Sequence, residues 1–128
     1  MNISFGDVVQ VDLGESIGSV QSEERPCIVI QNDFGNQYSP TTIVIPLTSE
    51  IKKTNLRVHD VLHKTKFNGL DTDSLILGEQ VRVIDKSLIL YKRGSLNEEE
   101  FDKVMRVYIA NLPKKNERRF CRETNRSA

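Results

Sequence analysis

Hydrophobic and polar positions alternate almost from the first residue. Over residues 5–13, Val9, Val11 and Leu13 fall on one face of an extended segment and Val8, Gln10 and Asp12 on the other, which predicts a half-buried β-strand. Gly14 ends it. Residues 14–24 hold two glycines, three serines and three glutamates, with Ile17 and Val20 the only apolar members, and so predict a long exposed loop. Loops of that length in small domains often carry function. Residues 27–30 and 42–47 are β-branched runs of strand length, separated by a linker rich in turn residues (Asn32, Asp33, Gly35, Asn36, Ser39 and Pro40). Pro46 cannot donate to a ladder and belongs at an edge, a bulge or a strand end.

Residues 56–62 alternate again, Asn68-Gly69 marks a tight turn, and residues 74–84 read as one strand bent or bulged at Gly78. Residues 88–91 form another short strand. Only near the end does the period change: Phe101, Val104, Met105, Tyr108 and Leu112 recur every three or four residues, Asn97 is a candidate N-cap, and Glu98, Glu99 and Glu100 favour a helix N-terminus. Pro113 stops that helix. About six strands and one terminal helix make a β-dominated α+β domain, a small antiparallel barrel or half-open sandwich.

Composition adds limits. The 128 residues, 38% of them hydrophobic, suffice for one domain with one modest core. Eighteen basic and eighteen acidic side chains cancel, so no net field points to nucleic acid. The charge is uneven, however. Residues 113–128 carry six basic side chains (Lys114, Lys115, Arg118, Arg119, Arg122 and Arg126) against Glu117 and Glu123, a net of +4 that leaves −4 on residues 1–112. With Phe120 almost its only apolar residue, the segment predicts a mobile basic tail, 113–128, appended to a domain at 1–112. Its account is a solubilising extension or a nonspecific phosphate contact. Cys27 sits in an apolar run and Cys121 in the tail, a spacing that fits neither a metal site nor a disulfide framework, and a reducing compartment is expected. No signal peptide or membrane-spanning run is evident, so a cytoplasmic location is expected.

Most catalytic constellations are missing: there is no phosphate-cradling glycine loop, no metal-spaced His/Cys cluster and no serine nucleophile elbow. His59 and His63 are four apart, but on a strand that spacing separates them by roughly 13 Å, too far for one metal ion. They read as solvated or hydrogen-bonded histidines. Asp71 and Asp73 decorate a turn, and Glu98–Glu100 serve a helix start. What remains is a set of polar residues at strand ends: Arg25 before Pro26, Asn32 and Asp33 after Ile30, Thr48 and Ser49 after Leu47, and Glu79, Gln80 and Arg82 within an apolar strand. Any one of them could merely satisfy neighbouring backbone. Together they look like a site.

Two stretches carry a resemblance. GDVVQVDLGESIGSVQSEERPCIVIQNDFGNQYSPTTIVIPLTSEIKK, followed by LILGEQVRVIDK, is similar to the MazF/PemK toxins (mRNA interferases) of type II toxin–antitoxin systems, over residues 6–112. The likeness lies in a G-D-[IV] opening, the R-P-x-[LIV]-V-[LIV]-[QS]-N-D run, the [LIV]-T-[ST] strand end and E-Q-[IV]-R-x-[IVL]-D-K, in that order. It implies a small SH3-like antiparallel barrel of the CcdB/MazF type with a C-terminal helix, a homodimer, and a cognate antitoxin protein as partner. It further implies endoribonuclease cleavage of single-stranded RNA by attack of its own 2′-hydroxyl, leaving a 2′,3′-cyclic phosphate and a 5′-hydroxyl, with no metal or cofactor. Carried over by position, the catalytic pair falls on Arg25 and Thr48, and Ser19, Gln21, Asn32, Ser49, Gln80 and Arg82 match positions along the RNA groove. The alternative on the same barrel is a non-enzymatic, CcdB-like poison of a protein target such as gyrase.

Overall fold

The computed structural model describes residues 2–15, 17–18, 23–51 and 59–117. The positions of Ser19 and Gln21, and residues 118–128 of the basic tail, lie outside the described residues.

Seven strands and two α-helices follow one another among those residues: β1 (Asp7–Asp12), β2 (Glu24–Val29), α1 (Asp33–Tyr38), β3 (Thr41–Thr48), β4 (His59–Leu62), β5 (Ser74–Leu77), β6 (Arg82–Asp85), β7 (Ile89–Ser95) and α2 (Glu98–Ala110). All pairings are antiparallel, in the order β4-β5-β3-β2-β1-β7, with β6 added beside the first half of β3. The β-dominated α+β architecture expected of the sequence is therefore present. The sheet is not closed by hydrogen bonds, but it curls: β6 and β7 are joined by the short turn Lys86–Leu88, and Ile84 and Ile89 on either side of it share one apolar cluster.

That curl makes two cores, one on each side of β1 and β2. Val9, Val11, Cys27, Val29, Val44 and Ile84 pack inside the curl. On the other side, Val8, Ile28, Ile45, Leu47 and Ile76 meet Val104 and Val107 of α2. The first strand, expected to be half-buried, is thus buried on both faces from Asp7 to Val11. The alternation was sound; what it cannot show is that α2 returns to cover the second face.

β3 is the hinge of the sheet. Its first half pairs with β6 up to Val44↔Arg82 and its last two residues pair with β5 from Leu47↔Ile76. Ile45 and Pro46 fall between those two ladders, so the missing N–H of Pro46 lies where the partner strand changes. Pro46 is nevertheless buried and central, because β2 pairs with it from the other side at Cys27.

Two local expectations need correction. The linker after β2 contains a helical turn and a half, α1, which Asn32 caps by accepting the Gly35 N–H at 2.8 Å. Its composition favours turns; Asn36 holds it in place by donating to Gln31 O at 2.9 Å and accepting from the Thr42 hydroxyl at 2.7 Å. The segment expected as one strand over residues 74–84 is two strands, β5 and β6, separated by the 3₁₀ turn Gly78–Gln80, so Glu79 and Gln80 lie on that turn and not within a strand. Of the strand expected over residues 56–62, β4 (His59–Leu62) is present, and residues 56–58 lie outside the described residues.

The terminal helix behaves as expected at its start. Asn97 and Glu100 form a reciprocal capping box, Asn97 Oδ1 accepting the Glu100 N–H at 2.8 Å and Glu100 Oε1 accepting the Asn97 N–H at 3.0 Å. Glu100 also accepts from Asn68 at 2.9 Å, tying the helix to the turn predicted at Asn68-Gly69.

Candidate active site

The β2–β3 ladder pairs Val29 with Val44, Ile28 with Ile45 and Cys27 with Pro46. Continued two residues, the same register sets Arg25 opposite Thr48, on the face that Cys27 and Pro46 share, where directly opposed side chains have Cβ atoms roughly 4.5–5.5 Å apart. Both positions are still strand: Arg25 pairs with Val11 and Thr48 with Leu75. Arg82 belongs to this face too, through its pairing with Val44. The electrostatics agree. The Cys27 thiol is pushed up to about 12 by burial, while the charges of Arg82 and Arg25 pull it in the opposite direction. Two guanidinium groups therefore approach one buried sulfur, which stays a neutral, unreactive thiol.

Thr48 is buried, and its Oγ1 accepts the Glu50 N–H at 3.2 Å. A hydroxyl that accepts in this way keeps its own hydrogen to donate. Ser49, the first residue beyond β3, is exposed. It opens onto a cavity of 220 Å³ that Arg25 also lines, with Pro26, Leu47 and Leu70 as apolar walls. The far wall is Asp71, Thr72 and Arg93.

The loop between β1 and β2 is pinched shut at its root beside Arg25. Leu13 N–H donates to Glu23 O at 2.9 Å and Glu23 N–H to Gly14 O at 2.6 Å, with Glu23 held at φ 61°. A non-glycine residue at positive φ is uncommon and marks a fixed chain reversal. Ser19 and Gln21 belong to this loop, outside the described residues.

Of the other residues singled out by sequence, the half-buried Gln80 sits on the 3₁₀ turn leading into Arg82, on the β6 side of the same region. Asn32 is elsewhere. It lies beyond Val29, the end of β2 that is four residues and roughly 13 Å along the strand from Arg25, and its side-chain oxygen caps α1. The register therefore places Arg25, Thr48 and Arg82 on one face, leaves Ser49 on the neighbouring cavity and Gln80 on the turn before β6, and sets Asn32 apart from them. Each histidine has a carboxylate partner: His59 meets Glu79 at 2.9 Å and His63 meets Asp73 at 3.1 Å. Among the described residues, no three His, Cys, Asp or Glu side chains converge to hold a metal ion, and no helix is long and apolar enough to cross a membrane.

Sequence reasoning missed Arg93. Its Nε donates to Gln10 Oε1 at 2.8 Å and its Nη1 to Gly69 O at 3.0 Å, and the guanidinium reaches Asp71 Oδ2 at 3.3 Å. Nothing in its neighbours along the chain signals this. It reaches the cavity only because β7 pairs with β1.

Comparison with known proteins gives a consistent set of relatives. The sequence model described as the PemK-like, MazF-like toxin of type II toxin–antitoxin systems matches residues 4–112. The chain is 43% identical over 104 residues to Endoribonuclease EndoA of Bacillus subtilis (strain 168), covering 81% of this chain and 89% of that protein. Among solved structures, MazF (Form-I) from Deinococcus radiodurans superimposes with a TM-score of 0.71 at 16% identity, over 84% of this chain and 94% of that one. An endoribonuclease in complex with its cognate antitoxin from a mycobacterial species gives 0.70 at 14% identity, over 88% and 98%. At these identities the two structures speak for the fold.

Proposed function

Because this chain belongs to the PemK-like, MazF-like toxins of type II toxin–antitoxin systems, we propose that it is the toxin of such a pair and acts as an endoribonuclease on single-stranded messenger RNA. The observation that carries the reading is the register that opposes Arg25 and Thr48 at the end of the β2–β3 ladder, beside an open cavity. EndoA, the relative at 43% identity, is named for the same activity.

The chemistry follows from the two side chains. The 2′-hydroxyl of the substrate attacks the adjacent phosphorus, and the 5′-oxygen of the next nucleotide leaves. This gives a 2′,3′-cyclic phosphate and a 5′-hydroxyl, and water is not consumed. Negative charge builds on the non-bridging oxygens as the phosphorus becomes five-coordinate. The planar fork of Arg25 matches two such oxygens and stabilises that charge. Thr48, its oxygen already engaged by Glu50 N–H, donates its hydrogen to the same phosphate. A base other than Arg25 takes the 2′-hydroxyl proton and a proton returns to the leaving 5′-oxygen, so the step balances without water; Arg25, whose guanidinium stays protonated, stabilises the charge on the phosphate by hydrogen bonding. Nothing in this route calls for a metal or cofactor. Ser49, Gln80 and Arg82, with Ser19, Gln21 and Asn32, are proposed as RNA contacts, since single-stranded RNA is read on the exposed edges of unstacked bases.

As partners the reading takes single-stranded RNA, a cognate antitoxin that covers Arg25, and a second copy of the chain, all in the cytoplasm. The relatives' names point to RNA rather than to a protein target such as gyrase. Purified protein incubated with mixed RNA in excess EDTA should yield fragments bearing cyclic phosphate and 5′-hydroxyl ends. Arg25→Ala should cut ~10²–10³-fold more slowly, the cost of removing one preorganised oxyanion donor. RNA left intact by the wild type, or undiminished cutting by Arg25→Ala, rejects the proposal.

A further inference from the structure

We infer that the cavity beside Arg25 is a nucleobase pocket in which Asp71 selects a base carrying an exocyclic amino group next to the cut. The inference rests on the endoribonuclease reading above and adds to it the identity of a specificity residue.

The cavity is the right kind of space for one base. At 220 Å³ it lies below the ~300–1,000 Å³ typical of pockets for larger ligands. Pro26, Leu47 and Leu70 offer an apolar surface to a flat ring, while Ser49 and Asp71 stand at its edge. Arg25 borders the same cavity at the strand end, its side chain on the face opposite to Pro26 and Leu47, so a chain that passes around that end with its phosphate on Arg25 brings a neighbouring base to the cavity. Extruded bases are held by this combination of apolar face and polar edge.

Asp71 is arranged to accept hydrogen bonds. Its side chain is 82% exposed, yet Arg93 holds it in place through Oδ2 at 3.3 Å. Arg93 is itself 14% exposed and anchored by Gln10 and by the carbonyl of Gly69, so the carboxylate rests on a fixed base. Among the described residues the hydrogen bonds and the ion pair of Asp71 all use Oδ2 and Arg93. An ionised carboxylate only accepts. It therefore favours the amino groups of cytosine, adenine or guanine over uracil, whose single edge donor, N3–H, lies between two carbonyl oxygens that repel a carboxylate.

The test uses the full-length protein on a short RNA that it cuts, with each position near the cut replaced in turn by the other three bases. Initial rates are compared for wild type and Asp71→Asn, whose side-chain amide can donate as well as accept. The wild type should prefer an amino-bearing base over uracil at one position adjacent to the cut. In Asp71→Asn that preference should shrink roughly tenfold at that position alone, about the discrimination of one good base contact. Unchanged preferences at every position overturn the inference, as does a loss that is uniform across all sequences or a defect confined to antitoxin binding. If wild type cuts these RNAs while Asp71→Asn keeps its preferences, the pocket assignment fails and the endoribonuclease reading survives. If wild type cuts none, both fall.

Discussion

Asn68 and Arg25 stand at two polar corners of the same small sheet, and the corners use polarity in opposite ways. Asn68 is fully buried. Its Oδ1 accepts from the N–H of Thr65 at 3.0 Å and of Leu70 at 3.1 Å, and its Nδ2 donates to His63 O and Glu100 Oε2, both at 2.9 Å. The backbone there is equally closed. Gly69, at φ +70°, and Gly94 let the turn and β7 approach so closely that a Cβ on either would come within 2.2 Å of a carbonyl oxygen. At the other corner Arg25 is half-buried, Ser49 is exposed, and a cavity stands open between them. The first corner joins β7, α2 and the turn into one unit. The second is left facing solvent with a guanidinium and a hydroxyl in register. Polar groups that saturate one another hold a fold, and polar groups aimed into a cavity are positioned for a ligand.

The largest effects separate the two corners directly. Arg25→Ala should lower RNA cleavage by ~10²–10³-fold while shifting the urea midpoint less than Asn68→Ala does. Asn68→Ala should leave cleavage per folded molecule near wild type and destabilise the fold by on the order of 3 kcal/mol. It strands several buried partners, each costing ~1–3 kcal/mol. Denaturation and cleavage measured on both variants give four values. If Asn68→Ala abolished cleavage in fully folded protein, or Arg25→Ala proved the more destabilising, the division would collapse.

A smaller effect sharpens the open corner. Thr48→Val keeps the volume of a buried side chain and removes the hydroxyl, whereas Thr48→Ser keeps the donor. A hydrogen bond to a charged group contributes ~1.5–3 kcal/mol, so Thr48→Val should cut ~10–100-fold more slowly and Thr48→Ser should stay close to wild type. Equal activity of the two would remove Thr48 from the chemistry.

How much of this was legible beforehand depends on how local the cause is. The helix cap at Asn97, the turn at Asn68-Gly69 and the alternation of β1 are settled within a few residues, and the structure has them all. Arg25 and Thr48 were found through ordered motifs, and the register then gave their opposition a geometric basis. The unread parts are long-range. α1 forms because Asn36 reaches Thr42 and Gln31, the 3₁₀ turn at Gly78 separates strands that pair at different points along β3, and Arg93 meets Asp71 only across the sheet. No window of neighbouring residues contains those causes. The Asp71-Thr72-Asp73 turn shows the same limit: its sequence announces a turn, and only the structure parts Asp71, on the cavity wall, from Asp73, on the His63 side.

Asp73 carries the smallest effect and asks whether an exposed pair beside the closed corner contributes to holding it. Its carboxyl sits below the ordinary 3.8, first because Lys64 N–H donates to Oδ1 at 2.9 Å and then because His63 donates to Oδ2. A lowered folded-state value means that the ionised form is favoured by folding. The contribution is complete above 3.8 and is lost as pH falls through the lowered value. The histidine side chain is 72% exposed, so its ion pair is well screened. His63→Ala should therefore leave Asp73 still below its ordinary value when it is titrated by NMR, held there by the Lys64 N–H, the largest single cause. Asp73→Asn should flatten the small decline in urea midpoint below pH 4 by lowering the midpoint slightly at neutral pH, where the contribution is present, and leaving it unchanged below the lowered value. A return of Asp73 to its ordinary value in His63→Ala would instead make the histidine, and not the backbone turn, the element that fixes this edge.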